Sequence, residues 1–137
     1  MIKEVNTVNF NITVNNAAKV MAEDETYQGY VIVLKDGKPI GIVTERDIVN
    51  KIIAKDLDPT KVLVSTVMTT PLVTVDPEED LLRASKLMKE NNVRKLIVIR
   101  NDIIYGIITA KSIAHRCGEY VDRSIKDIIL WTPHLGF

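Results

Sequence analysis

Gly41, Thr44 and Asp47, in the stretch GIVTERDIV at 41–49, have types and spacing that suit ligand chemistry. Thr44 reads as the end of a strand and the start of a helix. Free N–H groups and the positive end of the helix dipole meet at such a point, a setting for a phosphate. The threonine adds a hydroxyl donor. Asp47, one turn on, offers two acceptor oxygens that match the vicinal hydroxyls of a ribose. A plainer reading uses the same residues. Thr44 as N-cap and Asp47 as an acidic third residue stabilise a helix by about 1 kcal/mol and bind nothing, and Gly41 marks only a close approach of strand and helix. The chain writes the phrase again as GIITAKSIA, from Gly106 to Ala114, with Thr109 in place and Ser112 where the acid stood. Serine keeps the helix start and loses the charged bidentate acceptor. The two phrases are therefore expected to share a fold and to differ in binding.

The phrase belongs to a longer repeat. NTVNFNITVNNAAKVMAEDE at 6–25 runs beside VTVDPEEDLLRASKLMKENN at 73–92, pairing Thr7-Val8 with Thr74-Val75 and Val20-Met21 with Leu87-Met88. The offset of 67 falls to 66 where YVIV at 30 meets LIVI at 96, and to 65 at the glycine phrases. Two one-residue deletions in loops account for the drift. Self-similarity on this scale means two copies of one supersecondary unit.

The elements that must position the phrase are clearest in the second copy. TPLVTV is a short extended segment. Asp76 is expected as an N-cap, with Pro77 at the first helical position and Glu79 completing a capping box. Leu81, Ala84, Ser85 and Met88 follow at helical spacing, and Asn91-Asn92 suit a left-handed C-cap. KLIVIR reads as a buried strand, Asn101-Asp102 as a tight hairpin turn, and IIYGIIT as the returning strand. A helix from Ala110 to Cys117, closed by Gly118, completes the unit. The first copy repeats this with weaker caps, a hairpin at Asp36-Gly37 and a last helix from Glu45 to about Lys55, before Asp58-Pro59 breaks the chain. Each half is thus β-α-β-β-α, an α+β unit whose small sheet needs cover. The sequence divides into a first repeat at 1–62, a second at 63–118 and a tail at 119–137.

Composition narrows the function. A chain of 137 residues forms one compact domain, or two small halves sharing one core, and should bury roughly two-thirds of its unfolded surface. Eighteen basic and eighteen acidic residues cancel, which gives no support to whole-domain attraction to nucleic acid or anionic lipid. No apolar run approaches 18 residues and MIKEVNTVNF has no signal-peptide core, so a cytoplasmic protein is expected. His115 and His134 have no carboxylate or cysteine set at metal-ligand spacing, and no nucleophile-base-acid set can be named, so neither a metal site nor an enzyme is expected. The single Cys117 reads as packing with Ile113 and Ala114. Met21, Met68 and Met88 fall at repeat positions and read as core.

The repeat, its strand-hairpin-helix ending in G-x-x-T-x-x-D, and above all VMTTPLVTV at 67–75 resemble the cystathionine-β-synthase-type (CBS) domain, over about residues 5 to 117. The resemblance implies two pseudo-symmetric β-α-β-β-α repeats packed sheet to sheet as one CBS pair. It also implies a non-catalytic regulatory module that binds AMP, ADP, ATP or S-adenosylmethionine in a cleft between the repeats. Asp47 would take the ribose hydroxyls, with Thr44 and Arg46 near the phosphates. Ile42 and the segment Thr70, Pro71, Leu72 and Val73 would pack around the adenine, while Val93, Arg94 and Lys95 would close the other side, the basic pair serving phosphate. A weaker second cleft would use Thr109, Lys111 and Ser112. Its wall, EVN at 4–6, lacks the family's proline, and its facing strand TYQGYVIV lacks the basic pair. No catalytic cofactor is implied.

Two further expectations follow. Ile48, Val49, Ile52 and Ile53 form a stripe too wide for one contact face, which together with the resemblance predicts a homodimer through these helices. The tail SIKDIILWTPHLGF at 124–137 reads like another lead-in segment, IILWTPHL beside TVMTTPLV, and is expected to dock over the Ser112 cleft through Ile128, Ile129 and Trp131. The alternative to ligand binding is a dimerisation or protein-partner module with vestigial clefts. What such a module regulates is not legible in the sequence.

Overall fold

The computed structural model describes residues 5–25 and 28–114. Each half forms a three-stranded sheet with the same order and pairing. In the first, β1 (Thr7–Asn9) pairs parallel to β2 (Tyr30–Lys35), which pairs antiparallel to β3 (Lys38–Thr44). In the second, β4 (Thr74–Val75) pairs parallel to β5 (Lys95–Arg100), and β5 pairs antiparallel to β6 (Ile103–Thr109). Even the register shift recurs, between Val33 and Leu34 and between Val98 and Ile99. Both hairpins turn on two left-handed residues, Asp36-Gly37 with φ 52° and 77° and Asn101-Asp102 with φ 52° and 61°. Such turns match the right-handed twist of the flanking strands.

Helix α1 (Val14–Glu23) is capped by Thr13, which accepts from the Asn16 N–H at 3.2 Å. It buries Val14, Ala17 and Met21. Helix α2 (Glu45–Ile48) widens at once into a π-helical turn, Val49–Ile53, in which the Ala54 N–H reaches the Val49 carbonyl five residues back at 2.8 Å. The helix thus ends two residues before Lys55, and Asp56, left-handed at φ 57°, turns the chain toward Asp58-Pro59.

Helix α4 (Leu81–Asn91) begins later than the sequence suggests. Its cap is Asp80, which accepts from the Arg83 N–H at 2.8 Å, and not Asp76. The Asp76 carboxylate accepts from the Glu78 N–H at 2.9 Å and from the Arg100 guanidinium, with Nε to Oδ2 at 3.0 Å. A planar fork from the end of β5 claims the group that local sequence had offered to the helix. Asn92 closes α4 in the left-handed conformation at φ 52°.

Short helix α3 (Val64–Val67) shows where repeat boundary and physical boundary part. Val64 and Val67 are buried in the first core beside Val14, Val31, Val43 and Ile52. Backbone bonds from Val14 N to Val62 O and from Val64 N to Ile12 O, 2.8 and 2.9 Å, tie this stretch to the start of α1. The first compact unit accordingly runs to Leu72 and the second begins at Val73, whereas the repeat pattern placed 63–72 with the second copy. Each unit has its own buried cluster, the second built on Val75, Ala84, Met88, Leu96 and Ile113. Met21 and Met88 are core residues and Met68 packs against the first cluster, as their repeat positions suggest. A last helix, α5, starts at 110 and is described to 114. His115, Cys117, Gly118 and the tail with Ile128, Ile129, Trp131 and His134 lie outside the described residues. No helix among the described residues is long and apolar enough to cross a membrane.

Candidate functional site

The end of β3 is fixed by two contacts: Thr44 lies opposite Tyr30 of β2, and the Glu45 N–H donates to the carbonyl of Gly29, just before β2, at 3.1 Å. From this anchored end the chain enters α2 through a reciprocal cap. The Asp47 N–H donates to Thr44 Oγ1 at 3.3 Å, while Asp47 Oδ2 accepts from the Thr44 N–H at 2.9 Å and from Thr44 Oγ1 at 3.2 Å. The cap expected of the phrase is thus realised.

Asp47 does more than cap. Its other oxygen, Oδ1, accepts from Thr69 Oγ1 at 3.1 Å and lies 3.1 Å from Lys51 Nζ. Lys51 Nζ also donates to the Val67 carbonyl at 2.8 Å. Asp47 is 8% exposed, the one buried charged residue among those described. Burying a carboxylate is costly unless its lone pairs are satisfied. Here four donors meet roughly four acceptor positions, so any incoming hydroxyl has to displace one of them.

The partner segment is held against β3 by a short bridge. The Thr69 N–H donates to the Ile42 carbonyl at 2.8 Å, and the Ile42 N–H to the Thr69 carbonyl at 3.2 Å. Gly41 makes this approach feasible, since a Cβ there would sit 2.6 Å from Met68 Sδ and 3.1 Å from Thr70 Cγ2. The glycine therefore serves a strand-to-segment contact, where the sequence suggested strand-to-helix. Ile42, Thr44, Asp47 and the start of the Thr70–Leu72 segment are brought together within the first unit, with exposed Arg46 next to Asp47 on α2. Val73, Val93, Arg94 and Lys95 belong to the second unit. There Lys95 lies opposite Thr109, and the exposed Arg94 accepts through its carbonyl from the Ala110 N–H at 2.9 Å.

The second phrase builds the same cap with a hydroxyl. Ser112 Oγ accepts from the Thr109 N–H at 3.0 Å, and the Ser112 N–H donates to Thr109 Oγ1 at 3.0 Å. Ser112 Oγ also donates to the Thr109 carbonyl at 2.8 Å, leaving it turned back on its own helix start. Both Ser112 and Lys111 are exposed. In the first unit, the Asn6 side-chain amide is committed to Asp24 at 2.7 Å. The serine thus preserves the fold of the phrase. What it lacks is the second oxygen, which in the first unit reaches Thr69 and Lys51.

Sequence reasoning missed those two partners. Lys51 sits four residues after Asp47, the spacing of a helical ion pair, and was legible on that ground. Thr69 carries no local signal, because only the bridge to Ile42 brings it there. Among the described residues no group of three His, Cys, Asp or Glu side chains is placed to hold a metal.

The CBS domain family model matches residues 1–54 and 64–119. A mitochondrial CBS domain-containing protein of Arabidopsis thaliana is 32% identical over 120 residues, 81% of this chain and 57% of that protein. The chain spans about half the length of the first curated relatives it matches. A hexameric CBS-CP12 protein from bloom-forming cyanobacteria superposes with a TM-score of 0.76 at 30% identity, covering 97% of this chain and 79% of that one. A CBS domain protein from Pyrobaculum aerophilum, complexed with AMP, gives a TM-score of 0.71 over 81% of this chain and 84% of that one. At 20% identity that last likeness is one of fold. The matched segments are the two repeats that the sheets display, and the chain belongs to the CBS domain family as a tandem pair.

Proposed function

We propose that this CBS pair is a non-catalytic regulatory module that binds an adenosine-containing ligand, AMP, ADP, ATP or S-adenosylmethionine, at the Asp47 phrase. The observation that carries the reading is the buried Asp47 carboxylate at a helix start, with the Thr69–Thr70 segment laid beside it on β3. In this reading Asp47 holds the ribose hydroxyls, and Thr44 and Arg46 lie toward the phosphates. Ile42 and the Thr70–Val73 segment flank the adenine. The resemblance adds Val93, Arg94 and Lys95 of the second unit to the ligand's contacts, the basic pair serving phosphate. The AMP complex of the Pyrobaculum protein supports the ligand class. The Ser112 phrase, with Thr109 and Lys111, is the weaker site, because its exposed hydroxyl offers a ribose no charged acceptor.

A second reading, a dimerisation or partner module with vestigial clefts, is favoured by one observation: all of Asp47's acceptor positions are already filled. A thermal-shift series with AMP, ADP, ATP and S-adenosylmethionine separates the two. A ligand at one hundred times its dissociation constant stabilises by about 2.7 kcal/mol, which raises the melting point of a chain this size by several degrees. Melting that ignores all four ligands would leave the second reading.

A further inference from the structure

We infer that Lys51 is an internal competitor for the ligand: its ammonium occupies the acceptor on Asp47 that a ribose hydroxyl needs, and it must leave for the diol to dock. The inference rests on the adenosine-binding reading and specifies how that site is regulated. Of the four donors on Asp47, two come from Thr44 and are part of the helix cap. The third, Thr69 Oγ1, is fixed by a residue whose backbone is bridged to Ile42 on both sides. Lys51 alone reaches Asp47 from an exposed, four-carbon stem, with its side chain 43% accessible. It also sits in the π-helical turn, a feature that tends to occur where a helix has been adjusted for function.

The contact shapes both affinity and selectivity. Lys51 ties α2 to the end of α3 through the Val67 carbonyl while it holds Asp47. Displacing it exchanges a half-buried ion pair and one hydrogen bond for the bonds of the diol. Because the ammonium can return to water when it leaves, the competition should lower affinity by only roughly two- to tenfold. A ligand without the diol gains nothing by displacing the lysine and should be indifferent to it. Lys51 therefore narrows the preference for ligands that present two hydroxyls over those that offer a base and phosphate alone.

The test is calorimetry of the wild type and Lys51→Met with AMP and with 2′,3′-dideoxy-AMP. The two nucleotides carry the same charge, so losing the lysine's attraction for phosphate affects both alike and cancels in their affinity ratio. The expected result is that the preference for AMP over the dideoxy nucleotide grows by roughly two- to tenfold in Lys51→Met, while Lys51→Arg stays near the wild type. A merely structural lysine would weaken both nucleotides together and leave the ratio unchanged, which overturns the competition while leaving the adenosine site standing. A ratio that falls overturns it also, since the lysine would then be helping the diol. If neither protein binds either nucleotide while both melt cooperatively, the adenosine reading itself fails, and the competition fails with it.

Discussion

Thr69 and Asp47 are 22 residues apart in sequence and joined by a hydrogen bond of 3.1 Å, from Thr69 Oγ1 to Asp47 Oδ1. The bond couples the helix that starts at the glycine phrase to the segment that runs on to Pro71. It also means that the aspartate is part of the fold before it is part of any site. Mutational tests of binding have to separate the two roles.

Asp47→Ala removes the side-chain half of the reciprocal cap and leaves Thr69 and Lys51 facing a missing acceptor, which should cost about 1–3 kcal/mol of stability. Asp47→Ser copies the second repeat, where Ser112 closes the same cap, and should melt above Asp47→Ala. Both substitutions should weaken an adenosine ligand by roughly 2–4 kcal/mol, about 30-fold to nearly 1000-fold. Ser112→Ala should change that affinity little. Calorimetry beside thermal melts decides. Wild-type affinity in a folded Asp47→Ser protein would remove Asp47 from the site.

Gly41→Ala tests the close approach of the 68–70 segment to β3. The added methyl would meet Met68 Sδ at 2.6 Å and Met68 Cγ at 2.9 Å, so the methionine has to move and the Ile42–Thr69 bridge is strained. Overpacking of this kind costs about 1–3 kcal/mol. Met68→Ala opens space, and the double substitution should be destabilised by less than the sum of the two. Additive losses in denaturant melts would mean that the contact with Met68 is not what fixes the glycine.

The parts of this structure legible in the sequence are those whose cause is local. Asp36-Gly37 and Asn101-Asp102 turn because these residues tolerate left-handed backbone, and Asn92 ends α4 for the same reason. Thr44 and Asp47 cap α2 because they stand three residues apart. Where distant groups compete, the pattern misleads. Asp76 and Asp80 are both sound caps by sequence, and only the arrival of Arg100 from β5 assigns Asp76 to an ion pair. The repeat divides the chain at 63, close to where the second family match begins, and what it does not reveal is that Val64 and Val67 pack in the first core. Asp47's bond to Thr69 likewise depends on a segment folded back across β3.

Two groups set expectations for pH. Hydrogen bonds from Arg100 and then from the Glu78 N–H hold the Asp76 carboxyl below the usual carboxylate range. A carboxylate depressed in the folded state stabilises fully above its unfolded value, near 4, and that contribution is lost as pH falls through the folded one. Arg100→Met should therefore lower the melting point at neutral pH and flatten its fall below about pH 4. Tyr30 behaves in the opposite sense. Burial, and then the charge of Asp24, push its phenol up to about 12 from 10.0. The neutral phenol's contribution is whole below pH 10 and is lost as pH rises toward 12. Tyr30→Phe should blunt that alkaline decline. Melts at intervals from pH 3 to pH 12 check both, and parallel curves for wild type and variant would refute the corresponding assignment.

The helix that begins at Glu45 has two apolar faces with different fates. Ile52 is fully buried in the first core and Ile48 packs against it, whereas Val49 and Ile53 remain 55% and 60% exposed. Exposed Leu57 follows just beyond the π-helical turn. Two large aliphatic side chains one turn apart on a short helix are a poor surface for an isolated chain and a good one for a second copy. The proposed homodimer therefore makes opposite predictions for neighbouring positions. Val49→Asp with Ile53→Asp should leave each chain folded and shift it to monomer, and its melting point should lose any dependence on protein concentration. Ile52→Ala should instead destabilise the fold itself by about 2–5 kcal/mol. Sedimentation at micromolar concentration reads the first effect and denaturant melts the second. A wild type that sediments only as monomer, or a Val49 and Ile53 double variant that stays dimeric, would place the interface elsewhere or abolish it.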